Sequence, residues 1–137
     1  MPSWVKNILD STEELESPRI FWYWSALSAI SAVVKDNVWL PRGFAQNKIF
    51  PNIFVMLNAI SGLRKGPPIA MMKDLVQRTD VTRIITGRAS IQGILKALSQ
   101  QETIKGGAMR WGGKPVAYIV SSELTSSLVE DREQLRF

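Results

Sequence analysis

An α/β fold with a parallel sheet, preceded by a helical segment over residues 1–36, is predicted by three features of this 137-residue sequence. From residue 53 onward, short apolar runs alternate with stretches of helical spacing, the order that crossover helices between parallel strands produce. The first run, Ile53-Phe54-Val55-Met56-Leu57, is continuous, as in a strand covered on both faces. A basic, glycine-containing loop then joins that run to a helix opening on Pro67-Pro68.

Residues 3–16 read as a short helix. Ser17-Pro18 reads as the next helix start, with serine as cap and proline at the first helical position. That helix runs to about Val34. It begins with Ile20, Phe21, Trp22, Tyr23 and Trp24, and continues with Ser25, Ser28 and Ser31 beside Ala26, Ala29 and Ala32. One face is therefore small and suited to close helix packing. The aromatic cluster reads as core at this spacing, with base stacking as the other reading. Val38-Trp39-Leu40 reads as a short strand, followed by a turn at Pro41-Arg42-Gly43. After the 53–57 strand and the loop over 58–66, Ile69, Met72, Leu75 and Val76 mark a helix. Residues 81–85 are a second strand. Ser90 caps a helix with Ile91, Ile94, Leu95 and Leu98 on one face. Glycine pairs at 106–107 and 112–113 suggest a hairpin or turn around Trp111. Residues 116–120 are a third strand, and 124–135 a last helix. The chain thus divides into a helical segment, 1–36, and an α/β core, 37–137.

Composition narrows the chemistry. Apolar residues make up 45% and charged residues 21%, ordinary for a globular domain. There is no cysteine, which excludes disulfides and thiolate metal sites. There is no histidine, which excludes a Ser-His-Asp or Cys-His hydrolase for the chain acting alone. Residues 20–34 form the longest apolar stretch, too short and too serine-rich to span a bilayer. The N-terminus is polar and acidic, unlike a secretory signal, so the expected compartment is the cytoplasm, with no membrane partner. The net charge of +5 is concentrated in the middle. Residues 37–114 hold twelve Lys and Arg against Asp74, Asp80 and Glu102, while both flanks are net negative. Such a field suits a phosphate-bearing ligand, nucleotide or nucleic acid, or else it is a solvated surface.

The loop itself carries the sharpest signal. A phosphate loop, G-x-x-x-x-G-K-[ST], lies between a buried strand and a helix. Its glycines let amides close on phosphate oxygens, the helix start adds positive potential, the lysine neutralises the outer phosphates and the hydroxyl holds magnesium. Here Ser61, Gly62, Leu63, Arg64, Lys65 and Gly66 occupy the loop. Aligned on Lys65, the glycine positions are Ala59 and Arg64 and the hydroxyl position is Gly66, so only the lysine matches. The placement carries the reading; the alternative is an ordinary basic turn. An enzyme of this type also needs an acid at the end of a neighbouring strand, usually Asp followed by Glu. After residues 118–120 come Ser121, Ser122 and Glu123, so Glu123 takes the second place and Ser122 the first. The alternative reading of Glu123 is a solvated carboxylate at a helix start.

In this order the segments resemble the phage and mobile-element primase–helicase-like proteins with a RecA-like P-loop ATPase domain. FWYWSALSAISAVVKDNVWL looks like the leading helix and short strand, and IFPNIFVMLNAISGLRKGPPIAMMKDLV like the strand, phosphate loop and helix. ITGRASIQGILKAL resembles the next strand and capped helix, and VAYIVSSELTSSL the strand ending in the acid. The resemblance covers residues 20–128. It implies a three-layer P-loop NTPase core with a parallel sheet, phosphate contact by Lys65, water activation by Glu123, and ATP and Mg2+ as cofactors. The family's domain continues past the acid-bearing strand, so residues 37–137 correspond to part of it. Gly66 and Ser122 both subtract from the metal site.

Two functions follow. The first is a nucleotide-binding ATPase-like module of a DNA replication helicase or primase. The second is a catalytically inactive nucleic-acid-binding or assembly module on a decayed NTPase fold, with Arg110, Trp111 and Lys114 as the single-strand contact and DNA as partner. Homo-oligomer formation through the 20–34 helix is a further expectation.

Overall fold

In the computed structural model, residues 3–43, 47–87, 91–99 and 116–121 are described. They form helices α1 (Ser3–Ser11), α2 (Arg19–Val34), α3 (Gly66–Thr79) and α4 (Ile91–Ser99). The strands are β1 (Leu40–Arg42), β2 (Asn47–Ile49), β3 (Arg83–Thr86) and β4 (Ala117–Val120). The chain divides into two compact units, Met1–Thr82 and Arg83–Phe137.

The first unit is built around α2. Its small face becomes core: Ser25, Ala26, Ala29 and Ala32 are buried, together with Phe21 and Trp22. Small side chains bring backbones close, and α2 packs against both α1 and α3. From α1 come Val5 and Leu9; from α3 come Met72 and Val76, all fully or nearly fully buried. Part of the small face is thus packed within the unit, while Ser28 and Ser31 are half-buried. The aromatic cluster splits, because successive helical residues point in different directions. Phe21 and Trp22 turn inward, Trp24 and Ile20 face out, and Tyr23 meets Trp24 edge to face at 5.5 Å.

Three details of this unit differ from the sequence reading. Ser17 does not cap α2; the residue before the helix is Pro18, with no side-chain cap bond. A second difference is the segment 53–57, which forms no strand. Instead, residues 54–60 alternate between exposed and half-buried without a ladder partner in the unit. Ser31 Oγ donates to the Pro51 carbonyl and holds the start of this stretch to α2. The strand predicted at 38–40 is displaced to Leu40–Arg42, where it pairs antiparallel with β2 in the register Leu40↔Ile49, Pro41↔Lys48, Arg42↔Asn47.

In the second unit β3 and β4 pair in parallel, from Arg83↔Ala117 to Thr86↔Val120. Parallel neighbours require a crossover connection, and α4 lies between them in sequence. Arg83 donates a guanidinium hydrogen bond to the Ala97 carbonyl, tying the start of β3 to the end of α4. Leu95, expected on the buried face of α4, is exposed. Among the described residues no helix is long and apolar enough to cross a membrane.

Candidate phosphate-binding site

The loop that leads into α3 is a real junction. Leu63 N–H donates to the Ile60 carbonyl at 3.4 Å, closing a turn over residues 60–63. Gly62, at its third position, has φ +94°, the left-handed geometry a type II turn requires there. Arg64 follows at φ 43°, in the left-handed region that disfavours a side chain. Two neighbours hold it there. Glu16 pairs with its guanidinium, and Ser17 Oγ donates to its carbonyl at 2.6 Å. The serine read as a helix cap therefore fixes the loop, across a separation of 47 residues.

Lys65 precedes α3 with ordinary helical angles, φ −68° and ψ −19°. Its side chain is exposed and has no ion-pair partner among the described residues. An ammonium at a helix start adds to the positive potential already there. The amide cradle is thinner. A helix start normally offers four unbonded N–H groups. Those groups belong to Lys65, Gly66, Pro67 and Pro68, and the two prolines carry no N–H. Two amides remain, so an anion here is held chiefly by the Lys65 charge. Ser61, Gly62, Leu63 and Gly66 are exposed around it.

The donor set does not fit a magnesium ion held in the usual way. Gly66 has no side-chain oxygen, and among the described residues no group of three or more carboxylates is assembled. Of the other predicted site residues, Arg110, Trp111, Lys114, Ser122 and Glu123 lie outside the described residues. β4 ends at Val120, and Ser121 is the last residue described before them.

Sequence reasoning found Lys65 and the turn but missed the Glu16 and Ser17 contacts, which have no local signature. It also missed the Lys48 ammonium, 4.3 Å from the centre of the Trp39 ring. Compared with known proteins, the chain matches no family model, no curated protein and no solved structure.

Proposed function

We propose that this chain is a nucleotide-binding module of the P-loop ATPase type, with Lys65 as the phosphate contact. A RecA-like three-layer core and a place in a phage or mobile-element replication helicase or primase are parts of the same proposal. The compartment would be the cytoplasm. One observation carries the reading: an exposed lysine stands at the start of a 14-residue helix, after a glycine turn whose next residue is clamped by Glu16 and Ser17. The parallel β3–β4 pair supports it, because Glu123 follows the end of β4 by three positions.

The thin amide cradle and the hydroxyl-free Gly66 favour binding with slow turnover over efficient ATP hydrolysis. Titration with a fluorescent ATP analogue tests the proposal. Lys65→Ala should weaken binding at least tenfold, while the far-UV spectrum stays native. Equal affinities would overturn it. If hydrolysis is measurable, Glu123→Gln should remove it and spare binding.

A further inference from the structure

The β1–β2 ribbon stands apart from the Lys65 loop in its chemistry. In the observed register Pro41 faces Lys48, so Trp39 and Lys48 lie diagonally on one face of the ribbon. The ammonium sits over the indole at 4.3 Å, and both residues are exposed, Trp39 at 43%. An indole ring and a cation are thus presented together to solvent. The surrounding sequence has one sign of charge. Between Asp36 and Asp74 there is no carboxylate, while the ribbon itself carries Arg42 and Lys48. A second ring, Phe54, is 82% exposed. The chain length keeps it within about 18 Å of Ile49, a span several nucleotides cover.

We propose that the β1–β2 ribbon is a platform for single-stranded nucleic acid, on which the Lys48 ammonium leaves the Trp39 ring for a phosphate and the uncovered indole stacks the neighbouring base. Stacking on an aromatic side chain with cations along the backbone is the chemistry of sequence-tolerant single-strand binding. An acidic peptide would use the charge but leave the ring idle. A membrane surface would require apolar and basic residues on opposite faces. Here they are mixed: Leu40, Arg42 and Ile49 share one face and Trp39 and Lys48 the other. The proposal deepens the replication reading by naming where a strand sits, but it rests on the ribbon and not on Lys65, so the two fail separately.

The test is fluorescence anisotropy of the full chain with labelled oligo-dT and oligo-rU of about 20 nucleotides. It is run between about 50 and 200 mM salt, without nucleotide. Native protein should bind, with log affinity falling as log salt rises. Trp39→Ala should weaken binding about tenfold, and Trp39→Phe should retain most of it. Lys48→Ala should lower the salt slope by about 0.7, the loss of one phosphate contact on a single strand. Lys65→Ala should leave oligonucleotide binding within about twofold while weakening nucleotide binding at least tenfold. Either of two results overturns the proposal: no binding at the lowest salt, or Trp39→Ala and Lys48→Ala variants that are natively folded by circular dichroism and bind as native does. Binding to phosphatidylserine vesicles that Trp39→Ala removes, with none to oligonucleotide, would replace it with a membrane surface.

Discussion

Single residues in this chain sit where their chemistry is a poor match, and two of them give direct tests. Lys35 follows α2 and is buried. Burial pushes its ammonium below the ordinary value of 10.5, and neighbouring Asp36 pulls it part of the way back. A lowered value in the folded state means that folding favours the neutral amine. The charged form therefore destabilises the fold at neutral pH, and that penalty fades as pH rises through the folded value towards 10.5. Lys35→Met should be more stable than native protein in urea at pH 7, and the difference should shrink as pH climbs; a gap that widens with pH would contradict this. Asp80 is the second case. It follows α3 at φ 51° and ψ 22°, a left-handed position where glycine is favoured, and it places a negative charge at the negative end of a helix. Its N–H bond to the Gln77 carbonyl, 3.2 Å, survives any substitution but proline. Asp80→Gly should stabilise by ~1 kcal/mol, read as a higher denaturation midpoint with an unchanged slope.

At the scale of elements, the packing of α3 on α2 depends on a few buried side chains. Met72 is fully enclosed, and Met72→Ala should cost about 2–5 kcal/mol by removing buried surface and leaving a cavity. Ser17→Ala should cost only about 1 kcal/mol in a melt, but it frees the Arg64 carbonyl and should weaken nucleotide binding as well. Comparing the two variants separates general loosening from loss of the loop clamp. What was legible in the sequence follows from range. Helix α3 announced itself through Pro67-Pro68 and the spacing of Met72 and Val76, because capping and periodicity are local. β3 and β4 were legible as apolar runs, and β3 appeared two residues from its expected start. The 53–57 run was legible only as apolar. Whether such a run joins a ladder depends on partners elsewhere in the chain, which its own composition does not encode. The Lys65 loop was visible through its lysine and Gly62. Its clamp by Glu16 and Ser17 was not, since contacts that distant leave no spacing to read.

At the scale of the whole molecule, the proposed function poses one question about chemistry: whether a nucleotide would be held with or without a divalent ion. On the proposed function, the exposed Lys65 would attract phosphate by its charge. The two-proline helix start offers little amide chelation, and Gly66 offers no oxygen ligand. A binding mode dominated by charge should be sensitive to salt and should gain nothing from magnesium, which neutralises part of the nucleotide's own charge. Nucleotide affinity should therefore be no higher in excess magnesium than in EDTA, and should fall as salt rises. The sequence supplies the converse experiment. A Cβ placed on Gly66 meets no heavy atom within 4 Å, so a serine fits there without displacing a neighbour. Gly66→Ser restores the hydroxyl that a phosphate loop uses to hold the ion. Calorimetric titration of this variant should show binding that tightens with magnesium where native protein shows no such change. If native protein already requires magnesium, an oxygen ligand outside the loop holds the ion, and the charge-dominated mode argued here is wrong. If Gly66→Ser gains nothing from magnesium while Lys65→Ala still weakens binding, Lys65 is a phosphate contact in a site that never held a metal.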